Sequence, residues 1–409
     1  MNDIVRRTLV RLSASFALGF AAASMTSGPG SAALVELSGK ASLAGVYVAL
    51  LNVGAATGAM FGGHAMDRWG RRPILIAGLA IGATGYTIAA TGVTFGLLAL
   101  FITGVLLVAA ALGIGGLTRI AAAEILPPAE RGRGIAWVQT SAIAGAIVGP
   151  LLLVLSEPFG RAVGRDALTM VWWLAPPLLI AGALTLRRAA EPMEIAKEIE
   201  SAHAQPQSGA SGKGASRSSR LLIVGIVALA ASHASMAAVM GIAGVAVVHA
   251  GHGAGVLGWI MMLHFLGMYG LSRIVGYATD HWGRRATILT GLALLGVGGG
   301  VVALVPGMTG FGIGILIVGL GWSFAYVGAS VLLTDITVPH RRARTLGRAD
   351  LITQLTAAVV ATGGGFWFAA NGLAGLGILA IAVVTLPFVA FLFVAESRPG
   401  QYRAVQQRA

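Results

Sequence analysis

Two pairs of sulfur and imidazole side chains recur at helical spacing in the second half of the sequence. The first pair is Met236 and Met240, and the second is His264 and Met268. Residues four apart on a helix lie on one face, so each pair predicts two side chains about one turn apart. Thioethers and a neutral imidazole are soft to borderline ligands, which suit copper, and Cu(I) in particular, better than magnesium, calcium or manganese.

The two pairs also match in depth. A polar segment around position 252 separates two apolar stretches and predicts a turn between antiparallel helices. Met240 and His264 are each twelve residues from that position, and the other two side chains, Met236 and Met268, are each sixteen residues from it. At about 1.5 Å of rise per residue, the four side chains would form two layers roughly 6 Å apart.

The alternative interpretation is that these side chains are ordinary packing, because methionine fills irregular gaps in apolar cores. Clustering favours a site: five of the 12 Met and four of the 8 His fall between His233 and Met268. His249 and His252 lie in the predicted turn, where they are candidates to capture the metal first. His233 is a candidate inner ligand or a hydrogen-bonding support for the other ligands.

Composition places these side chains in a membrane. The chain has 409 residues, of which 56% are hydrophobic and 11% charged, and its mean hydropathy is +0.83. Soluble proteins carry about 25% charged residues. The net charge of +13 does not indicate nucleic-acid binding, because the basic residues form short clusters between apolar stretches. We therefore expect a lipid bilayer as the surroundings and no nucleic acid as a partner.

The residue types present also exclude several kinds of chemistry. The chain has no cysteine, so Met and His are its only soft or borderline metal ligands. We find no hydrolase triad, nucleotide-binding loop or haem motif, and we expect neither an enzyme nor a bound cofactor.

Twelve apolar stretches are each near the 20 residues needed to cross a hydrocarbon core. They cover about residues 12–37, 42–66, 73–93, 95–123, 135–156, 168–186, 221–248, 255–277, 286–306, 310–334, 349–371 and 374–395. Lys and Arg concentrate at the termini and in the even-numbered loops, which places both termini in the cytoplasm and the turn between spans seven and eight outside.

We predict an all-α membrane protein with 12 transmembrane helices in two pseudo-symmetric six-helix bundles. The bundles comprise residues 1–188 and 220–409, and the second carries the predicted metal site. Residues 189–219 join them as a cytoplasmic linker, since its first part is charged and its remainder is rich in Ser, Gly and Ala.

Two loops of the first half repeat in the second half. GHAMDRWGRR at 63–72 matches GYATDHWGRR at 276–285. EILPPAERGRG at 124–134 matches DITVPHRRARTLG at 335–347. Both matches follow the equivalent spans, two and four, of each half. Such parallel repeats are typical of transporters.

With these loops, the chain resembles the major facilitator superfamily (MFS) along essentially its whole length. The G-x-x-x-D-R-x-G-R-R pattern between spans two and three is that superfamily's best-known signature. The resemblance implies a cytoplasmic latch, in which the loop acid meets the start of span eleven and an arginine pairs with an acid at the end of span four. The gating candidates are Asp67, Arg71 and Glu124 in the first half and Asp280, Arg284 and Asp335 in the second.

Within that superfamily, the MxxxM and HxxxM pairs in spans seven and eight closely resemble those of the CcoA-like copper importers, the CalT family. This resemblance implies copper import through the cytoplasmic (inner) membrane by alternating access, serving the assembly of cbb3-type cytochrome c oxidase. A copper chaperone or oxidase assembly factors would then be partners of a monomeric transporter. The copper oxidation state, donor, acceptor and driving force stay open.

Two other functions remain open. One is transport of a small organic solute such as riboflavin or a drug, since a sister group in that family resembles riboflavin importers. Residues that could line a cavity for an aromatic solute are Trp137, Gln139, Trp322, Tyr326 and Gln354. The other is a membrane sensor or assembly partner that binds copper without moving it. The duplicated gating loops disfavour a static binder.

Overall fold

The chain is helical throughout the part described by the computed structural model, which comprises residues 3–127, 131–162, 164–202, 218–337 and 339–393. No β-strand occurs within these ranges. The all-α prediction is therefore confirmed. The central part of the predicted linker and the end of the C-terminal tail lie outside the described residues.

The described residues of the first half form eight α-helices. They are α1 (Asp3–Ser38), α2 (Val46–Trp69), α3 (Arg71–Phe95), α4 (Leu98–Gly116), α5 (Thr118–Glu124), α6 (Arg131–Ala162), α7 (Ala167–Arg187) and α8 (Pro192–Ala202). Predicted span four corresponds to α4 and α5 together, and α8 occupies the charged start of the predicted linker. The other spans of this half each correspond to one helix.

The described residues of the second half form six α-helices and one π turn. They are α9 (Ser218–His249), α10 (Ala254–Phe265), the π turn (Leu266–Gly270), α11 (Ser272–His281), α12 (Arg284–Leu304), α13 (Gly307–Ile336) and α14 (Pro339–Leu392). Predicted span seven is α9. Predicted span eight runs through α10, the π turn and α11.

Eleven helical segments of the described chain are long and apolar enough to cross a membrane. The last of them, Thr345–Leu392, contains both of the final two predicted spans. Within it, Gly372 has φ 61° and ψ −158°, a conformation outside the helical region that glycine adopts readily. This break lies between predicted spans eleven and twelve, so the structure agrees with 12 spans.

The helix contacts divide the chain into two compact units. The first unit contains Met1–Gln205 and Ala243–Met262, and within it α3 packs against α4 and α7 while α1 packs against α6. The second unit contains Pro206–Ile242 and Leu263–Ala409, and within it α12 packs against α13 and α14. The end of α9 and the start of α10 therefore belong with the first unit.

Candidate functional site

His264 is fully buried near the end of α10, and its ring is held by one hydrogen bond. Its Nδ1 lies 2.9 Å from the carbonyl oxygen of Ile315 in α13. Because a carbonyl oxygen only accepts hydrogen bonds, Nδ1 carries the proton of the neutral ring, and Nε2 keeps its lone pair. Nε2 is buried without a hydrogen-bond partner among the described residues. Metal-binding histidines commonly have this arrangement, with one nitrogen anchored and the other free.

Between His264 and Met268 the chain is not a regular α-helix, because the π turn lies there. Glycines on both sides of the contact bring this turn close to α13. A Cβ on Gly267 would lie 2.7 Å from a backbone oxygen of α13, and one on Gly319 would lie 2.5 Å from the backbone oxygen of His264. The sequence predicted an ordinary α-helix between His264 and Met268, and the structure has a π turn there instead. A π turn is wider than an α-helical turn, and here it accompanies this tight packing against α13.

The three candidate methionines differ in burial. Met236 and Met268 are buried, and Met240 is partly exposed. Met236 and Met240 of α9 belong to the second unit. His264 and Met268 belong to it as well, so all four predicted ligands lie in one compact unit. Among the described residues, no group of three or more His, Cys, Asp or Glu side chains could hold a metal ion. A metal site here would consequently depend on thioether sulfur.

His233 belongs to an aromatic cluster, which we define as His233, Tyr269, Trp322 and Tyr326. Its Nδ1 accepts a hydrogen bond of 3.1 Å from the indole N–H of Trp322. Trp322 stacks on Tyr326 with 4.6 Å between ring centroids, and Tyr269 meets Trp322 edge-on at 5.9 Å. The side chain of Gln354 lies beside His233. Since the indole occupies Nδ1, that nitrogen cannot bind a metal unless Trp322 moves.

The five residues suggested for an organic solute do not all come together in one unit. Trp322, Tyr326 and Gln354 lie in the second unit with His233. Trp137 and Gln139 are exposed on α6, which belongs to the first unit. The aromatic cluster and Gln354 are therefore the part of that prediction that forms a local group.

His249 and His252 occupy the predicted turn and are exposed. Gly251 has φ +77°, a left-handed conformation that ends α9 at low cost for glycine. The N–H of His252 donates to the carbonyl of Val247 at 3.1 Å and completes the helix end. The turn belongs to the first unit, whereas the four predicted ligands belong to the second. Capture of metal by these two histidines stays a prediction.

In the first gating loop, Arg71 joins the loop acid to the end of α5. Its Nε donates to Glu124 Oε2 at 2.8 Å and its Nη2 donates to Glu124 Oε1 at 3.0 Å, which is a bidentate pair. Its Nη1 donates to Asp67 Oδ1 at 2.9 Å. Gly70 precedes it with φ +92°, which a residue with a side chain rarely adopts. Contact of Asp67 with the start of span eleven stays a prediction.

The second gating loop has the same local geometry. Arg284 Nε donates to Asp335 Oδ2 at 2.9 Å, and its Nη1 lies 4.0 Å from Asp280 Oδ1. Gly283 precedes it with φ +90°. Both loops thus place an arginine at the start of a helix, after a glycine with positive φ. In each, the arginine lies between a loop acid and an acid near the end of the next span. The internal repeat extends from sequence to geometry.

Glu191 is a member of the first gating loop that the sequence analysis missed. Its carboxylate accepts the backbone N–H of Arg71 at 2.7 Å and that of Arg72 at 3.1 Å. These amides belong to the first turn of α3, whose N–H groups have no partners within the helix, and a negative charge there is favourable. The available sequence signal was an acid just after span six, repeated as Glu396 after span twelve. Glu396 lies outside the described residues.

The chain matches a known family along most of its length. The family model described as Major Facilitator Superfamily matches residues 12–255 and 225–409. The riboflavin transporter RfnT of Brucella anthropi is 26% identical over 397 residues, which cover 95% of this chain and 94% of RfnT. The uncharacterized MFS-type transporter YdeG of Bacillus subtilis is 26% identical over 365 residues, which cover 87% of this chain and 84% of YdeG.

Solved structures show the same fold at lower sequence identity. The inward-open xylose transporter XylE from E. coli has a TM-score of 0.70 at 16% identity, with 98% of this chain and 99% of that chain covered. The nucleoside transporter NupG has a TM-score of 0.66 at 14% identity, with 96% and 100% covered. At these identities the likeness concerns the fold alone.

Proposed function

The chain belongs to the Major Facilitator Superfamily, and from that premise we propose that it imports copper across the cytoplasmic membrane. It is a multi-pass membrane transporter and not an enzyme. In the proposal, copper passes along Met236, Met240, His264 and Met268 as the protein alternates between outward- and inward-facing states. The copper would serve the assembly of cbb3-type cytochrome c oxidase, with a copper chaperone or oxidase assembly factor as acceptor.

The observation that carries this proposal is the buried, unpartnered Nε2 of His264. Leaving a buried acceptor unpaired costs about 1–3 kcal/mol, so such an atom requires an explanation. The bond from Nδ1 to Ile315 fixes the tautomer in which Nε2 presents a lone pair. A soft cation on Nε2 would satisfy that atom, and the anchored Nδ1 would keep the ring oriented.

The remaining proposed ligands suit a cargo that must leave again. Met236, Met240 and Met268 offer neutral thioether sulfur, and the chain has no cysteine thiolate to hold copper permanently. Thioether and imidazole ligands prefer Cu(I) to the hard divalent cations. The π turn between His264 and Met268 adds support, because π turns occur frequently at functional sites.

A second candidate function is transport of a planar organic solute such as riboflavin. The aromatic cluster favours it, since Trp322 and Tyr326 offer ring faces while His233 and Gln354 offer polar groups beside them. The relative RfnT is called a riboflavin transporter, and the similarity covers nearly the whole of both chains. A flavin would be recognised by stacking and hydrogen bonding, which do not involve the lone pair on His264.

Uptake measurements separate the two functions. Radioactive copper and radioactive riboflavin would be supplied in parallel to cells that lack their own importers and express the full chain. Copper import predicts copper uptake that the Met240→Ala, His264→Ala double variant loses. The matched control is the Met308→Ala, His203→Ala double variant, which removes the same side-chain types from positions that are neither proposed ligands nor part of the gating loops. Full copper uptake by the first double variant, at a normal protein level in the membrane, would refute the proposal.

A further inference from the structure

Glu157, near the end of α6, holds the start of α10 within the first unit. Its Oε2 accepts the backbone N–H of Gly255 at 3.0 Å, and its Oε1 accepts a hydrogen bond from Arg161 at 2.9 Å. Gly255 is the second residue of α10, so the carboxylate serves one of the four N–H groups that a helix start leaves unpaired. The negative charge of Glu157 also interacts favourably with the positive end of the α10 dipole.

The contact requires glycine on α10. A Cβ on Gly255 would lie 2.8 Å from Glu157 Oε2, and one on the neighbouring Gly253 would lie 3.6 Å from the same carboxylate. A side chain at 255 would therefore displace the carboxylate. A turn further along, a Cβ on Gly258 would lie 2.9 Å from the backbone oxygen of Pro150. The start of α10 thus lies directly against α6.

The end of α9 also lies directly against α1, through close packing of small residues. A Cβ on Gly244 would lie 1.9 Å from the backbone oxygen of Gly28 and 3.0 Å from the hydroxyl of Ser31. Leu257 of α10 also packs against Gly28 of α1: a Cβ on Gly28 would lie 2.9 Å from the Leu257 side chain. Such close backbone approach between small residues is typical of helix contacts in membranes. Packing of this kind is apolar, and Glu157 adds a charged hydrogen bond at its edge.

We propose that Glu157 is an outer latch, which holds the linked ends of α9 and α10 against α1 and α6 and so governs opening of the transporter on the predicted external side. In this role it is a positioning residue. The hydrogen bond to Gly255 can exist only while the start of α10 lies on α6, so it stabilises that arrangement selectively. The latch lies on the side predicted to be opposite the two arginine loops. The proposal of an outer latch rests on membership of the transporter superfamily, and it does not depend on which substrate is transported.

Because the chain has no cysteine, a single introduced thiol can report on this opening. Ser31 is fully buried against Gly244, so Ser31→Cys is a small change at the contact between α1 and α9. Intact cells expressing the full chain with Ser31→Cys would be treated with a membrane-impermeant maleimide, and the labelling rate measured. Adding Glu157→Ala should raise that rate about five- to tenfold, as expected when one charge-assisted hydrogen bond is lost from a two-state equilibrium.

Three further variants make the result decisive. Glu157→Gln retains an acceptor oxygen but loses the charge. Its labelling rate should therefore lie between that of Ser31→Cys alone and that of Ser31→Cys with Glu157→Ala. Arg161→Ala leaves the bond to Gly255 in place and should label within about twofold of the reference, since exposed ion pairs contribute little. Ser15→Cys, buried in α1 away from the latch, should stay unlabelled with Glu157→Ala if the unit remains packed.

An unchanged labelling rate with both Glu157→Ala and Glu157→Gln would overturn the proposal. Labelling of Ser15→Cys in the Glu157→Ala background would overturn it as well, because the effect would then be general loss of packing. If Glu157→Ala does not accumulate in the membrane, the rate with Glu157→Gln decides the question. The measurement uses no copper, so failure of the copper proposal leaves it intact.

Discussion

The ring of His264 is fixed by the carbonyl oxygen of Ile315, 2.9 Å from Nδ1, so the nitrogen left for other chemistry is Nε2. Across the same contact, α13 presents Gly319, whose absent side chain leaves room for the backbone of His264. The imidazole is therefore oriented by a neighbouring helix and not by its own. This dependence makes the site sensitive to changes on α13 that remove no ligand.

Gly319→Ala should disturb the site without touching a proposed ligand. The added Cβ would lie 2.5 Å from the backbone oxygen of His264 and 3.2 Å from its Nδ1, so the ring or the π turn must shift. Overpacking of this kind costs about 1–3 kcal/mol. We expect copper uptake to fall about tenfold, which corresponds to about 1.4 kcal/mol.

The matched control for this variant is Gly300→Ala in α12, where an added Cβ meets no heavy atom within 4 Å. It should retain uptake within about twofold, since a helical glycine-to-alanine change without a clash is neutral to stabilising. Equal uptake by the two variants, at matched protein levels, would show that the position of His264 does not matter for transport.

Much of the fold could be predicted from hydropathy because each span must satisfy its own backbone inside the bilayer. That constraint located the spans and the break now seen at Gly372. The resemblance to the superfamily implied the pairing of Arg71 with Glu124, and the duplicated loops extended that expectation to Arg284 and Asp335.

The missed features depend on packing between distant parts of the chain. The π turn at Leu266–Gly270 is tied to a glycine on α13, and nothing in its own residues distinguishes it from an α-helix. Glu157 and Glu191 each accept backbone N–H groups from a helix start far along the chain. Glu157 alone carries no sequence signal for such a partner, whereas Glu191 recurs as Glu396 after span twelve. The orientation of His264 likewise required the position of Ile315.

Arg71 and Glu124 should be energetically coupled, because both side chains are largely buried and joined by two hydrogen bonds. In a double-mutant cycle with Arg71→Lys and Glu124→Gln, we expect a coupling of about 1–3 kcal/mol. Lysine keeps the charge but cannot form the planar bidentate pair. Thermal unfolding of the detergent-purified protein would measure the coupling.

The comparison pair for that cycle is Arg7 and Asp3, which are also in contact but exposed. Its coupling should not exceed about 0.5 kcal/mol, as for most exposed ion pairs on helices. Similar values for the two pairs would mean that the gating arginine acts only as a topological charge.

Glu191→Ala should destabilise the start of α3 by about 0.5–2 kcal/mol, the usual cost of losing a helix cap. The variant leaves the N–H groups of Arg71 and Arg72 without the carboxylate that now accepts from both. The thermal midpoint of the purified protein should fall accordingly. Glu194→Ala, three residues away on an exposed site, should leave the midpoint unchanged within error. A fall of the same size in both would remove any special role for Glu191.

Trp322→Phe separates the aromatic cluster from the proposed copper ligands. Phenylalanine keeps a stacking ring against Tyr326 but has no N–H to donate to His233. If a flavin is the substrate, its KM should rise several-fold. The flavin ring would have less aromatic area to stack on, and His233 would lose the hydrogen bond from the indole. If copper is the substrate, its uptake should change by less than about twofold, since none of the four proposed ligands is altered. Loss of copper uptake alone would show that the aromatic cluster takes part in copper transport.

Met240→Leu tests the chemistry of sulfur more cleanly than truncation does. Leucine has nearly the same volume and hydrophobicity, so the fold should lose less than about 1.5 kcal/mol while the thioether is removed. Met240 is partly exposed, so little repacking is needed. We expect copper uptake to fall about tenfold and riboflavin uptake, if present, to stay unchanged, because only a soft cation needs the sulfur.

The control is Met262→Leu, since Met262 is a partly exposed methionine of α10 that is not a proposed ligand. This variant should retain copper uptake. Equal copper uptake by the two leucine variants would mean that the methionine spacing reflects packing and not a path for copper.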